Sequence, residues 1–263
     1  MIVPCRARTT NSGGIIMRNI KLVIEYDGSR YDGWQRLGKN GSQTTIQGKI
    51  EEVLKKMTDE DVEISGSGRT DAGVHAYAQV ANFHTSTTMK CYEIKHYLNR
   101  YLPRDIAVLD VCEVDERFHS RLNAKSKKYV YRIAIGDVPS VFDRKYTYYC
   151  FDRLDVAAMK KAAAYLVGRH DFIAFSSVKK AKKSTVREIF DIDIYGDEKE
   201  IQITFHGNGF LYNMVRIMAG TLMEVGKGER APEDVQRILE SRNRECAGIT
   251  APAQGLFLLE VEY

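Results

Sequence analysis

A short glycine-rich stretch carries the side chains best suited to chemistry. Residues 66–75 place Arg69 and Asp71 two positions apart and contain three glycines. Glycine permits backbone conformations with positive φ and lets a ligand approach the chain closely. An arginine can clamp an anion, and an aspartate can act as a nucleophile or a base. The stretch therefore predicts a reactive loop, although a tight turn with a local salt bridge would use the same residues.

Two runs of basic residues are candidates for binding phosphate groups. Lys125, Lys127 and Lys128 form the first run, and the second extends from Lys179 to Lys183. The formal net charge is only +4, so these local clusters matter more for binding than the overall charge does. Each run is equally compatible with a solvated loop.

The cysteines indicate neither a metal centre nor a disulfide framework. The five are dispersed, and no pair has the short spacing of a zinc or redox site. No apolar run approaches the roughly 20 residues of a membrane span, and residues 1–16 lack the apolar core of a signal peptide. We therefore expect a cytoplasmic protein without membrane association, in which residues 1–16 are a disordered or non-native extension.

Hydrophobic periodicity predicts strands and helices in both halves of the chain. In the first half it predicts strands at 20–26 and 108–114 and helices at 45–57 and 92–102, with the reactive loop between two further strands. In the second half it predicts strands at 129–135, 189–194, 201–205 and 255–263, and helices at 155–167 and 210–225. The similar succession in residues 17–117 and 118–263 suggests an internal duplication and an α+β fold.

A series of short motifs lies in order along residues 18 to 263. In the first half these are Tyr26-Asp27-Gly28, Gly33-Trp34-Gln35, Thr45-Ile46-Gln47, Gly68-Arg69-Thr70-Asp71-Ala72-Gly73-Val74-His75-Ala76 and Leu102-Pro103-Arg104-Asp105-Ile106. They continue with Phe118-His119-Ser120-Arg121, Lys128-Tyr129-Val130-Tyr131, Gly168-Arg169-His170-Asp171-Phe172, Asn213-Met214-Val215-Arg216, Thr250-Ala251-Pro252 and Gly255-Leu256-Phe257-Leu258. Each string alone is weak evidence, but in this number and order the motifs together resemble the TruA-type tRNA pseudouridine synthases, and coincidence is a poor explanation.

The resemblance implies both a fold and a reaction. The fold is the α+β pseudouridine synthase fold, in which two ferredoxin-like halves form one continuous, mainly antiparallel sheet with a central catalytic cleft. The implied enzyme is a homodimer that binds the anticodon arm of tRNA and converts uridines 38, 39 and 40 to pseudouridine. The C1′–N1 bond breaks, the uracil rotates, and C1′ is rejoined to C5. Neither a metal nor another cofactor is implied.

The resemblance also assigns catalytic roles. Asp71 matches the essential aspartate, which can add to C1′ or to the base, or can take the ribose 2′ proton. Arg216 matches an arginine expected to pair with that aspartate across the cleft, although it could also lie at the edge of an amphipathic helix. Arg69 is expected to contact the RNA backbone or to fill the space left by the flipped nucleotide, and a turn salt bridge is its alternative.

Further residues match positions that hold the substrate. Tyr129 corresponds to a tyrosine that stacks on the target uracil, with Tyr131 on the same face of the strand, and Leu256 lines the same pocket. Lys125, Lys127 and Lys128 are expected to neutralise RNA phosphates beside the cleft. For His75 and His170 we favour structural hydrogen bonds over acid–base roles.

One departure from the family pattern leaves the target RNA open. Segment 35–44 is longer and richer in glycine than the usual family loop, and loops of this kind choose the RNA site. A paralogue that modifies another RNA, such as ribosomal RNA, is therefore an alternative, as is a non-catalytic RNA-binding or chaperone protein of the same fold. A nucleotide-binding enzyme is disfavoured because no Walker or dinucleotide-binding glycine motif follows a strand.

Overall fold

The computed structural model describes residues 17–36, 44–178 and 184–263. The predicted extension at 1–16, most of the glycine-rich segment 35–44 and the basic run from Lys179 to Lys183 therefore lie outside the described residues. Among the residues that are described, no helix is both long and apolar enough to cross a membrane. The four described cysteines are free thiols.

The first half contributes four strands and two helices. In chain order they are β1 (Arg18–Tyr26), α1 (Ile46–Thr58), β2 (Ser65–Gly66), β3 (His75–Thr85), α2 (Cys91–Tyr101) and β4 (Ile106–Val114). The alternation in β1 buries Ile20, Leu22 and Ile24 completely. Helix α1 begins where the Thr45 side chain accepts a hydrogen bond from the Gly48 amide, as expected of an N-cap threonine.

The second half contributes six strands and three helices. They are β5 (Ser126–Ala134), β6 (Tyr148–Tyr149), α3 (Val156–Ala164), β7 (Gly168–Asp171), β8 (Val186–Gly196), β9 (Glu200–Gly207), α4 (Met214–Gly226), α5 (Asp234–Ser241) and β10 (Leu256–Glu262). The sequence pattern did not predict β6, β7 or α5, which have between two and eight residues. Periodicity is a weak signal over such short spans.

All ten strands among the described residues join one sheet. Its main order is β4-β1-β3-β10-β5-β9-β8-β7, with β2 paired to β3 and β6 paired to β5. The β3–β10 and β5–β6 pairs are parallel and the others antiparallel. The expected continuous, mainly antiparallel sheet is thus confirmed, and the C-terminal strand β10 forms the seam between the halves.

Two predicted helices have different limits in the structure. The helix predicted at 210–225 begins only at Met214, because Asn213 has a left-handed backbone (φ 60) that ends the preceding loop. The apolar spacing of Phe210 and Leu211 imitates a first helical turn, but these residues lie outside the helix. The helix predicted at 155–167 ends at Ala164, ahead of Gly168 with φ +106.

Candidate active site

A cleft of about 710 Å³ lies between the two halves, over the central strands of the sheet. Its lining comes from the loop that precedes β3, from β5, from the segment ahead of α4 and from the start of β10. The lining side chains include those of Arg69, Asp71, Arg121, Lys127, Tyr129, Arg187, Phe210, Arg216 and Leu256. The cleft therefore brings together residues that are far apart in the sequence.

The chain around Asp71 is fixed by contacts to its neighbour Thr70. The Trp34 amide donates to the Thr70 carbonyl at 3.0 Å, and the hydroxyls of Thr70 and Tyr26 lie 2.8 Å apart. Gly33 has φ +92, and a Cβ there would lie 2.6 Å from the Thr70 carbonyl oxygen. This close approach requires glycine, so the Gly33-Trp34 pair directly supports the loop that presents Asp71.

The beginning of the same loop is held by a buried glutamine of β3. The Ser67 hydroxyl donates to Gln79 Oε1 at 2.6 Å, and Gln79 Nε2 donates to the Gly68 carbonyl at 3.1 Å. The Ser67 amide also donates to the Val80 carbonyl at 2.7 Å. Because contacts fix the chain both here and at Thr70, Asp71 is displayed on a firmly positioned backbone.

Asp71 faces Arg216 across the cleft. Arg216 Nη1 lies 3.7 Å from Asp71 Oδ2, and both side chains are largely shielded from solvent. Burial raises the pKa of the Asp71 carboxyl above its ordinary value, while the Arg216 guanidinium acts in the opposite direction. Arg216 therefore favours the ionised form of a carboxylate that burial alone would tend to protonate.

Arg216 is itself held by polar contacts around the start of α4. Its Nε donates to the Ala251 carbonyl at 2.7 Å, and its Nη1 donates to Asn213 Oδ1 at 3.1 Å. Asn213 Nδ2 in turn donates to the Ser177 hydroxyl at 3.0 Å. The guanidinium is thus oriented before any substrate enters.

Aromatic and aliphatic side chains form the wall beside the carboxylate. The ring centroids of Tyr129 and Phe210 lie 5.1 Å apart, and the two rings are packed edge to face. Leu256 lines the same cleft. Burial raises the pKa of the Tyr129 phenol well above its ordinary value, so its hydroxyl remains protonated. Tyr131 is completely buried, with its hydroxyl donating to the Pro252 carbonyl at 2.9 Å, and it does not line the cleft.

The predicted basic residues occupy different environments. Arg69 is exposed at the cleft, where no described residue forms a hydrogen bond or ion pair with its guanidinium. Lys127 also lines the cleft, and Lys125 is exposed just before β5. Lys128 points to the opposite face of the sheet, where its Nζ lies 2.8 Å from Glu260 and 3.1 Å from Glu262. Strand alternation accounts for this separation of Lys127 from Lys128.

The two histidines have structural partners. His75 is buried, and its Nδ1 accepts from the Gly28 amide at 3.1 Å while its Nε2 faces the Lys145 carbonyl at 3.1 Å. Burial lowers the pKa of His75, which favours the neutral ring. His170 Nε2 lies 2.9 Å from the Val167 carbonyl, and His170 does not line the cleft.

Sequence reasoning did not assign several lining residues to the site. Phe210 was placed inside a helix, and Arg187 on β8 carried no sequence signal. Arg187 Nη1 donates to the Ser184 and Val186 carbonyls, and burial lowers the pKa of its guanidinium. Arg121 belongs to a motif quoted above, but only the fold shows that it reaches the cleft.

Together these groups give the cleft a defined chemical character. A partly buried carboxylate lies beside a fixed guanidinium, an aromatic wall is suited to a planar ring, and several cations are suited to anionic groups. This combination fits nucleophilic or base catalysis on a nucleotide within a nucleic acid.

Comparison with known proteins agrees with this description. A family model described as tRNA pseudouridine synthase matches residues 22–123 and 162–263. The chain is 53% identical over 247 residues to tRNA pseudouridine synthase A of Bacillus sp. (strain KSM-64), covering 94% of this chain and 100% of that protein. With the same coverage, it is 48% identical to tRNA pseudouridine synthase A 2 of Bacillus anthracis and 49% identical to tRNA pseudouridine synthase A 1 of Clostridium tetani.

Proposed function

The chain belongs to the tRNA pseudouridine synthase family, and on that premise we propose that it isomerises uridine to pseudouridine in the anticodon stem-loop of tRNA. The observation that carries this proposal is the Asp71–Arg216 pair in a cleft walled by Tyr129 and Leu256. A protein that only binds RNA has no need of a buried carboxylate held beside a guanidinium.

The proposed reaction is an isomerisation, in which the atoms of uridine are rearranged and no second reactant is consumed. The C1′–N1 bond of uridine breaks, a C1′–C5 bond forms, the proton leaves C5, and N1 gains a proton. The base and the ribose keep their overall oxidation level, so the reaction needs no oxidant or reductant. We accordingly assign no metal or other cofactor to the site.

Asp71 is the proposed nucleophile or base of this reaction. Addition to C1′, addition to the base and removal of the ribose 2′ proton all begin with an ionised carboxylate. Arg216 supports that ionised state and holds the carboxylate in place from the other half of the protein. Arg216 is thus proposed as the partner that keeps Asp71 active.

The target uridine is proposed to enter the cleft as a flipped nucleotide. Tyr129 stacks on the uracil, and Leu256 packs against it from β10. A flat aromatic face tolerates rotation of the base while excluding water. Arg69, which is exposed and has no described partner, contacts the RNA backbone or occupies the space that the base leaves.

Binding of the RNA backbone is proposed for basic residues on the cleft side of the sheet. Lys125 is exposed before β5, and Lys127 lines the cleft. Lys128, which was also expected to bind phosphate, is on the other face and is paired with two glutamates. We therefore assign phosphate binding to Lys125 and Lys127 rather than to Lys128.

We also propose that the protein acts as a cytoplasmic homodimer. Several large apolar side chains in and just after the connection between β5 and β6 are exposed, including Phe142 at 90% and Phe151 at 84%. Val138, Val141 and Phe142 are all exposed within five residues of the chain, and clustered exposed apolar groups are typical of protein interfaces. Light scattering of the purified protein tests this assignment, and a monomer at micromolar concentration would contradict it.

The decisive experiment maps pseudouridine at single-nucleotide resolution. Wild-type protein and the Asp71→Ala variant are incubated with unmodified transcripts of tRNA and ribosomal RNA. Pseudouridine in the tRNA anticodon arm that depends on Asp71 would support the proposal. A signal only in ribosomal RNA would point to a retargeted paralogue, and no signal in either RNA would favour a binding protein.

A further inference from the structure

Lys127 lies at the floor of the cleft and contacts the reactive loop. It precedes Tyr129 by two residues on β5, so the two side chains share the cleft face of the strand. Its Nζ donates to the Ser67 carbonyl at 2.6 Å. A Cβ on Gly68 would lie only 2.7 Å from this Nζ. Because Gly68 has no side chain, the ammonium can contact the backbone of the loop.

The surroundings of Lys127 do not balance its charge. Its neighbours across β9 and β10 are Gly207 and Val261, which are uncharged. The charge that acts on its ammonium is that of Arg121, which lines the same cleft and is also positive. Within the described part of the chain, neither Lys127 nor Arg121 lies within 4 Å of a carboxylate oxygen.

Two nearby basic groups, one in the cleft and one on the other face of β5, are differently arranged. Arg216 has Asp71 opposite it, and Lys128 has Glu260 and Glu262. A largely buried ammonium without a counter-ion is unfavourable, and burial with the Arg121 charge lowers the pKa of Lys127 to about 8. Two cations that line one cleft, with no carboxylate oxygen of a described residue within 4 Å of either, are arranged to receive an anion.

We propose that Lys127 and Arg121 form a subsite for the phosphodiester group that flanks the target uridine. This inference rests on the proposed function. Lys127 lies about 7 Å along β5 from Tyr129, the residue proposed to stack on the uracil. The same nucleotide can therefore place its base against Tyr129 and an adjacent phosphate against Lys127.

The hydrogen bond to Ser67 and the proposed phosphate contact respond differently to pH. A neutral amine still donates to the Ser67 carbonyl, so deprotonation preserves the contact with the loop. The attraction for phosphate requires the ammonium. The charged groups that line the cleft with Lys127 are Arg121 from the turn after β4, Asp32 ahead of α1, Arg69 and Asp71 from the loop, Arg187 from β8 and Arg216 from α4. Tyr263, near Ser67, has a pKa raised by burial.

The test combines protein variants with RNA that carries one neutral methylphosphonate, placed on either side of the target uridine. Dissociation constants are measured for wild-type protein, Lys127→Gln and Arg121→Gln, with Lys160→Gln on the exposed surface of α3 as the matched control. At one of the two positions, the methylphosphonate should weaken wild-type binding and have little further effect on the Lys127 and Arg121 variants. The slope of the logarithm of the association constant against the logarithm of the salt concentration should be smaller in magnitude by about one in each of these variants.

Arg121 keeps the test interpretable because it is exposed, so its replacement does not threaten folding. If the methylphosphonate at either position weakens binding by the same factor in the Lys127 and Arg121 variants as in the wild type, the subsite is overturned. A wild-type protein that binds the RNA but forms no pseudouridine would instead contradict the proposed function. The two failures are therefore distinguishable.

A pH series provides a second measurement on the same RNA. Wild-type affinity should fall roughly tenfold between pH 7 and pH 9 as Lys127 loses its proton, whereas Lys127→Arg should retain its affinity because arginine remains charged. Lys160→Gln should follow the wild type. An equal decline in wild type and Lys127→Arg would also overturn the subsite.

Discussion

Arg216 Nη1 lies 3.7 Å from Asp71 Oδ2, and this ion pair joins the two halves of the protein. Asp71 belongs to the loop before β3, whereas Arg216 lies in the first turn of α4. Neither half alone contains both members. The chemistry proposed for the cleft therefore depends on the single sheet that joins β3 to β10 and β10 to β5.

Replacing Asp71 with alanine is expected to abolish turnover while leaving RNA binding largely intact. In the proposed mechanism the carboxylate acts on the reacting nucleotide, whereas basic residues hold the backbone. Pseudouridine formation under single-turnover conditions and a filter-binding isotherm measure the two properties separately. Equal losses of rate and of affinity would contradict this division of roles.

Replacing Arg216 with glutamine is expected to move the acidic limb of the pH–rate profile to higher pH. Burial raises the pKa of Asp71, and Arg216 opposes that rise, so its removal should raise the pKa further. Because the ionised carboxylate is the proposed active form, more of the enzyme should then be inactive at a given acidic pH.

The rate of the Arg216→Gln variant at its best pH should still be reduced by roughly 10²-fold, because the carboxylate is no longer held in position. The profile is measured as kcat/KM across the acidic range, with Lys160→Gln as the control. An acidic limb at the wild-type position would show that Arg216 does not control Asp71.

The sequence predicted the fold where periodicity is long and regular, as in β1 and α1. It misplaced Phe210 because the apolar spacing of α4 continues backwards past its real beginning. Only the left-handed backbone of Asn213 ends that pattern, and a sequence does not display φ angles. Lys127 and Lys128 are adjacent in the sequence, but successive side chains of a strand point to opposite faces of the sheet. Lys127 therefore lies in the cleft, whereas Lys128 pairs with Glu260 on the other face.

The partners of the reactive loop were equally hidden from the sequence. Gln79 lies in a strand that sequence reasoning only outlined, and its contacts with Ser67 and Gly68 depend on how the loop folds back over β3. The motif around Asp71 could be recognised, whereas the long-range contacts that hold it could not be.

Two replacements of Tyr129 separate stacking from the hydroxyl group. Tyr129→Phe keeps the flat ring and its contact with Phe210, so partial activity is expected. Tyr129→Leu removes the aromatic face, and its rate should fall much further, since stacking on a base contributes about 1–3 kcal/mol. Single-turnover rates on the same tRNA transcript give the comparison. Equal rates for the two variants would exclude stacking as the role of Tyr129.

Substituting alanine for Gly33 is expected to destabilise the protein through the reactive loop. Gly33 has φ +92, and the new Cβ would meet the Thr70 carbonyl at 2.6 Å. Backbone strain and overpacking together should cost about 3 kcal/mol.

Gly228→Ala is the matched control, because Gly228 has φ +77 but nothing within 4 Å of the added methyl. It should cost only the strain, about 1–2 kcal/mol. Urea unfolding measures both changes, and similar losses in the two variants would show that the contact with Thr70 does not restrict this position.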